Sequence, residues 1–378
     1  MKYFLIAGEA SGDLHGANLM KALQEEDPDA RFRYFGGDRM AGVADGLVVH
    51  YREMAYMGYV EVLTHLRAIS RNMKKCRESI LEFRPDVVIL IDYPGFNLRM
   101  AGFARRQGFR VFYYISPKLW AWKQGRVKKI RAWVDRLFII LPFEQEFFAR
   151  HGVEAEYLGN PVVDEVAARR TALTPPSRFL ASLGLDERPV LALLPGSRRQ
   201  ELHYHLPVML EAVRSFTGHH ILIAGAPSFT EEDYLPYLGD SGARVVFGAT
   251  YDLLHASQAA LVASGTATLE TALMEVPQVV MYRMNAVTYL IGKHFVRVPY
   301  ISLVNLILGR EAVKELIQHE MNPARIRQET ERILPVDAPA RLTMLDDYRR
   351  LQEILGAPGV SRRVAARMVE LLKTEERS

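Results

Sequence analysis

Arg198 and Arg199 stand directly behind Gly196 and Ser197, at the end of the apolar run Val190-Leu191-Ala192-Leu193-Leu194. Glycine lets a backbone approach an anion, and a helix starting there would offer its N–H groups. Guanidinium groups match phosphate oxygens. The one acid here, Glu201, comes after the arginines. The stretch points to phosphate binding, against a plainer reading as a solvated first helical turn. Ser264-Gly265-Thr266-Ala267-Thr268-Leu269-Glu270 follows a second apolar run, 259–263. Small hydroxyl residues at a helix start suit a diphosphate. Glu270, one turn on, is spaced to accept from vicinal ribose hydroxyls. Alone, this loop reads equally as a helix cap with an exposed glutamate; paired with 196–201 it favours a nucleotide.

Asp92-Tyr93-Pro94-Gly95-Phe96-Asn97 ends the most hydrophobic run of the first half, Val87-Val88-Ile89-Leu90-Ile91. An aspartate with apolar residues behind it can have a raised pKa and act as a general base. The competing role is a helix N-cap. The loop 8–16 matches the dinucleotide glycine fingerprint only loosely. Its acids Glu9 and Asp13 disfavour phosphate and fit sugar hydroxyls or a second base better. His15 reads as a packed helix residue. Asp27-Pro28-Asp29 has the form of a metal motif but falls after the first helix, away from the binding loops. No His/Cys group has zinc-like spacing, so no metal is expected.

All three tryptophans, Trp120, Trp122 and Trp133, lie among Lys118, Lys123, Arg126, Lys128, Lys129, Arg131 and Arg136. That texture suits a membrane interface or an anionic lipid headgroup, or single-stranded nucleic acid. It also fits buried tryptophans on a helix with a solvated basic face. The apolar stretch 54–63, with Met57 and Val60, is either an acyl pocket or core.

These loops need elements to hold them. Short apolar runs ending at glycines and small polar residues predict buried parallel strands turning into helices. Strands are predicted at 3–7, 32–37, 86–92, 111–115 and 137–140, then at 189–194, 220–224, 244–247, 259–263 and 278–282. Val60, Leu63, Leu66 and Ile69 predict a helix over 60–83. Alternating strands and helices mean parallel sheets covered on both faces. The fold class is α/β, with two Rossmann-like parallel-sheet domains facing a cleft. The stretch 166–188, with Thr174-Pro175-Pro176-Ser177, is expected as a linker. Met344, Tyr348, Leu351 and Leu355 share one face of a late helix.

At 378 residues the chain is long enough for two domains. Its 49% hydrophobic and 24% charged residues are those of a soluble globular protein. The net charge of +4 is too small to imply nucleic acid by itself. A single cysteine, Cys76, excludes an internal disulfide and predicts a structural thiol in a reducing compartment. A strand begins directly after Met1-Lys2, so no secretory signal is expected. No apolar run approaches the roughly 20 residues of a membrane span.

Taken together, the loops resemble the lipid-A-disaccharide synthases, inverting glycosyltransferases of GT-B fold. The matching pieces are 8–13, 57–63, Ser116-Pro117 with Trp120-Ala121-Trp122, Leu141-Pro142-Phe143-Glu144, 194–198, 264–270, Tyr282-Arg283-Met284, and 302–307 followed by Gly309-Arg310-Glu311. The resemblance implies condensation of UDP-2,3-diacylglucosamine with 2,3-diacylglucosamine 1-phosphate (lipid X). The products are a β(1→6) disaccharide 1-phosphate and UDP, with no metal or other cofactor. It implies an acceptor domain over 1–165 and a UDP-sugar domain over 189–340. Helices are expected over 341–378, with a return to the first domain and a swap between chains both open. It implies catalytic roles for Asp92 as base and for Glu9 and Ser11. UDP would be held by Ser197, Arg198, Arg199, Ser264, Gly265, Thr266, Glu270 and Asn305. Acceptor and membrane contacts would come from Met57, Val60, Trp120, Trp122, Lys123 and Arg126. The expected location is cytoplasmic, peripheral on the inner face of the inner membrane, against anionic lipid and without nucleic acid; a homodimer is allowed. Two departures stand out. Gly95 replaces the family's second acid after Asp92, and Asn160 replaces the usual histidine in Gly-His-Pro.

Rival readings are a UDP-sugar 2-epimerase, a GT-B transferase with a soluble acceptor, and a non-enzymatic nucleic-acid or membrane binder. The last would have no use for paired cleft loops.

Overall fold

The computed structural model describes residues 1–54, 66–121, 124–285, 289 and 298–375. The chain divides into two compact units, Met1–Pro161 with Pro358–Ser378, and Val162–Ala357.

The first unit holds a seven-stranded parallel sheet. Its strands are β1 (Lys2–Ala7), β2 (Arg31–Gly36), β3 (Leu47–His50), β4 (Val87–Ile91), β5 (Arg110–Tyr114), β6 (Arg136–Ile139) and β7 (Glu156–Tyr157), in the order β3-β2-β1-β4-β5-β6-β7. β4 is buried at every position because helices cover both faces. The second unit repeats the plan with β8 (Val190–Leu194), β9 (His220–Gly225), β10 (Arg244–Phe247), β11 (Ser257–Ala263), β12 (Gln278–Tyr282) and β13 (Lys314–Ile317), in the order β10-β9-β8-β11-β12-β13. The ten strands read from the sequence are present. β3, β7 and β13 are additional; each is short and lies at a sheet edge.

The helix expected over 60–83 is described from Leu66 to Phe83. The run 57–63 and the residues Met57, Val60, Trp122 and Lys123 lie outside the described residues. Cys76 is fully buried in the first unit's core, which pushes its thiol pKa up and fits a structural role.

Two stretches differ from expectation. The segment read as a linker carries helices Pro161–Arg170 and Pro176–Ser182, whose Val166, Phe179 and Leu180 join the second unit's core. Its prolines start a helix instead of spacing two domains. The final helices also part company. Pro339–Leu355 buries Met344, Tyr348, Leu351 and Leu355 in the second unit, along the predicted face. Val360–Glu375 packs on the first unit's helix Ala10–Glu26, adding Val364, Met368 and Leu372 to the core around Leu19 and Leu23.

Candidate active site

Each sheet reverses its strand order once, between β1 and β4 and between β8 and β11. Helices leave such a pair toward opposite faces, opening a crevice at the carboxyl ends. The four loops singled out above, 8–13, 92–97, 195–201 and 264–270, are the loops that follow these four strands.

In the first unit, Ala7 pairs with Ile91, so the chain leaves β1 and β4 side by side. A Cβ on Gly8 would lie 2.3 Å from the Tyr93 ring; only glycine fits there. Asp92 and Tyr93 both adopt left-handed backbone, at φ 43° and 46°, and Ile115 after β5 does so at 63°. Such conformations cost about 1–3 kcal/mol each and persist only where neighbours enforce them. Here the Asp92 carbonyl accepts from the Tyr113 hydroxyl at 2.6 Å and from the Asn97 amide at 2.7 Å. Pro94 then starts the helix Pro94–Arg106.

The Asp92 carboxyl is half-buried at the mouth of this turn. Burial first, and then the negative charge of Glu9, push its pKa up to about 6. Lys118 and a hydrogen bond from the Tyr93 N–H oppose the rise. That is the setting of a general base working near neutral pH. Glu9 is half-buried at the N-cap of helix Ala10–Glu26, and Ser11 is exposed in its first turn.

Asp13 departs from its expected sugar-facing role. It is 3% exposed and accepts from the backbone N–H groups of Gly37, Arg39 and Met40. It caps the short helix after β2. Asp27 of the metal-like triplet accepts from the Tyr3 hydroxyl. Among the described residues no group of three His, Cys, Asp or Glu side chains could hold a metal ion.

Trp120 is not a surface tryptophan. It is 9% exposed, donates its indole N–H to Glu144 at 3.0 Å, and meets Phe143 edge-on. Its expected acceptor or membrane contact is therefore withdrawn. Glu144, 1% exposed, also accepts from the Ser116 hydroxyl at 2.6 Å and the Leu141 N–H at 3.2 Å. Burial pushes its pKa up to about 7 against those bonds. Trp133 is half-buried, with the Lys129 ammonium over its ring. Lys128, Lys129 and Arg131 are exposed on helix Val127–Trp133, and Arg126 just before it is half-buried. Among the described residues no helix is long and apolar enough to cross a membrane.

In the second unit, Gly196 has φ 114°, and a Cβ there would strike the Glu201 carboxylate. Glu201 accepts from the Ser197 and Arg198 N–H groups at 2.9 and 3.2 Å. The helix Arg199–Val213 thus supplies its own carboxylate to donors expected to face a phosphate. Arg198 remains largely exposed beside Glu201, and Arg199 pairs with Asp233 at 2.9 Å. His205 is fully buried between two backbone groups. Its Nδ1 meets the Pro195 carbonyl at 2.8 Å, and its Nε2 meets the Arg283 N–H at 3.0 Å. A carbonyl only accepts and an N–H only donates, so the ring is neutral with its proton on Nδ1. It ties the loop after β8 to the end of β12.

Ser264 donates to the Ile301 carbonyl at 2.9 Å, while Gly265 and Thr266 are exposed at the start of helix Thr266–Leu273. One Glu270 oxygen accepts from the Tyr251 hydroxyl, and burial raises the carboxyl's pKa. Asn305 is not available to a ligand. It is 0% exposed, donates to Val313 O and Glu315, and accepts from the Ala312 and Val313 N–H groups. Glu315 also holds the Ile301 and Ser302 N–H groups. Asn305 therefore braces the segment that positions Ser264.

Sequence reasoning assigned no role to Glu144 or His205. Leu141-Pro142-Phe143-Glu144 reads as a motif, but the side chains that donate to Glu144 lie 24 and 28 residues away.

Two parallel-sheet α/β units of this kind define the GT-B-type class. The chain is similar over 98% of its length to a UDP-GlcNAc 2-epimerase from Neisseria meningitidis bound to UDP-GlcNAc, with TM-score 0.71, 11% identity and all of that chain covered. It is similar over 99% of its length to the calicheamicin glycosyltransferase, with TM-score 0.59, 17% identity and 98% of that chain covered. At these identities the likeness shows the fold alone. The family model for lipid-A-disaccharide synthetase matches residues 3–351, and the chain belongs to that family of glycosyltransferases. It is 41% identical to the lipid-A-disaccharide synthase of Myxococcus xanthus (strain DK1622), covering 98% of this chain and 97% of that one. It is 40% identical to that of Syntrophus aciditrophicus (strain SB), covering 98% of both.

Proposed function

We propose that this chain condenses UDP-2,3-diacylglucosamine with 2,3-diacylglucosamine 1-phosphate. The products are the β(1→6) disaccharide 1-phosphate and UDP, with inversion at the anomeric carbon. The observation that carries the reading is Asp92: a half-buried carboxyl of raised pKa at the strand-order reversal of a family glycosyltransferase. Asp92 takes the proton of the acceptor 6-hydroxyl as that oxygen bonds to the donor's anomeric carbon. The bond from that carbon to the UDP oxygen breaks on the opposite side. UDP leaves with the electron pair, and the sugar inverts. Arg198 and the helix start at Thr266 meet the charge that develops on the diphosphate. The proposal gives this task to no divalent cation.

The second unit's roles are assigned to Ser197, Arg198, Arg199, Ser264, Gly265, Thr266 and Glu270. For Ser197 and Arg198, backbone contact with a phosphate requires Glu201 to yield its two N–H groups, so their side chains are the better ligands. We place the enzyme on the cytoplasmic side of the inner membrane, touching anionic lipid through Lys128, Lys129 and Arg131. Nucleic acid has no part in this reading, and a homodimer is compatible with it.

Product analysis with radiolabelled lipid donor and acceptor tests the reaction. Disaccharide 1-phosphate is expected, with equal yield in chelator. Epimerisation of UDP-N-acetylglucosamine without acceptor would replace this reading with the epimerase one.

A further inference from the structure

Three side chains join the loops that follow β5 and β6. Glu144 begins helix Glu144–Ala149, after β6, and is buried to 1% exposure. Among the described residues its side-chain donors are Ser116 and Trp120, both from the loop after β5. That loop opens on the left-handed residue Ile115 and folds tightly, with the Leu119 N–H on the Pro117 carbonyl and the Ala121 N–H on the Lys118 carbonyl. Lys118 lies midway between the two gripped residues and is exposed. β5 pairs with β4, Tyr114 opposite Ile91, so this loop leaves the sheet beside the Asp92 turn. The Asp92 N–H donates to the Tyr114 carbonyl at 3.2 Å, one residue before the loop begins.

Resting on the reading of Asp92 as the base, we propose that Glu144 is a positioning residue. By gripping Ser116 and Trp120 on either side of Lys118, it fixes where the Lys118 ammonium stands and so sets the charge state of Asp92. Among the described residues, the groups that face Asp92 are Glu9 from the loop after β1, Lys118 from the loop after β5, and the Tyr113 hydroxyl from β5, itself influenced by Arg126. Lys118 is the cation among them that acts on Asp92, and it favours the carboxylate. An exposed lysine holds no fixed place by itself, because its stem is long and flexible. A buried carboxyl gripping both flanking residues restricts the backbone that carries it.

The test is a carbon-13 NMR titration of the Asp92 carboxyl in the full chain, beside the pH profile of kcat/KM. Four proteins are compared: parent, Lys118→Ala, Glu144→Gln and the double variant. Lys118→Ala is expected to raise the Asp92 titration by roughly half a pH unit or more. Glu144→Gln should move it in the same direction. The double variant should match Lys118→Ala, because a loosened lysine and an absent one are then equivalent. If Glu144→Gln does not fold, Trp120→Phe replaces it; it keeps a ring, drops the N–H, and should give a smaller upward shift.

An Asp92 titration unmoved by these loop variants, or a double variant equal to the sum of the singles, overturns the proposal. A purely structural role would lower stability or kcat and leave the titration in place. If the NMR titration moves while the acid limb of kcat/KM stays put, positioning stands and the assignment of Asp92 as base fails.

Discussion

The Asn97 amide reaches back to the main-chain carbonyl of Asp92, 2.7 Å away. The same nitrogen lies 3.1 Å from the Ile91 carbonyl and 3.3 Å from that of Ile6. One buried side chain thus pins the left-handed turn and links β1 to β4. Replacing Asn97 with alanine removes this donor from all three carbonyls and leaves the Asp92 carbonyl to the Tyr113 hydroxyl alone, at a cost on the order of 1–3 kcal/mol. Urea unfolding should show that loss. Turnover should fall with UDP affinity unchanged; an unaltered kcat would show that the turn holds without its amide.

Asp92→Asn keeps the shape and removes the base. Turnover should drop by roughly 10²–10⁴-fold, with UDP titrating as in the parent. Near-full activity would move the base to another group.

The charge state of Asp92 also sets two pH trends. Its pKa is raised from 3.8 to about 6, so kcat/KM should climb through about pH 6 and level off above it. Glu9→Gln removes a like charge and should shift that limb to lower pH; a shift upward would contradict the electrostatic account. Stability runs the other way. The folded state binds the proton more tightly, so ionisation disfavours folding as pH rises from 3.8 through about 6. Asp92→Asn should therefore gain stability relative to the parent across that window. Paired thermal melts at its two ends measure the gain.

Arg198 and Asn305 should separate cleanly. Arg198→Ala is expected to weaken UDP binding by about tenfold or more with little change in Tm, since the side chain is largely exposed. Asn305→Ala should do the reverse. It takes the side-chain partner from the buried backbone groups of Val313 and the half-buried N–H of Ala312, at a cost on the order of 3 kcal/mol. Calorimetry with UDP and thermal melts on both variants would distinguish them. Equal UDP loss with an intact Tm in Asn305→Ala would return that residue to the site.

The sequence made the central strands plain because strands covered on both faces must be apolar throughout, as Val87–Ile91 and Val190–Leu194 are. It hid β13, whose Lys314 and Glu315 break the apolar run at a sheet edge, and β7, which is two residues long. Asp92 could be read because its signal is local, an acid at the end of an apolar run. Asp13 could not, because its three donors sit 24–27 residues away and arrive through the pairing of β1 with β2. Trp120 misled for a similar reason. Its lysine-rich neighbours suggested a wet surface, while the carboxylate that buries its N–H comes from the next strand's loop.

The helix Val360–Glu375 imposes an order in time. It supplies part of the core around Leu19 and Leu23, so a ribosome must synthesise the whole second unit before the first can be completed. Until then the nascent first unit carries an open apolar face, a substrate for chaperones and proteases. A chain stopped before Val360 would keep every residue of the Asp92 turn and still leave the core around Leu19 and Leu23 open.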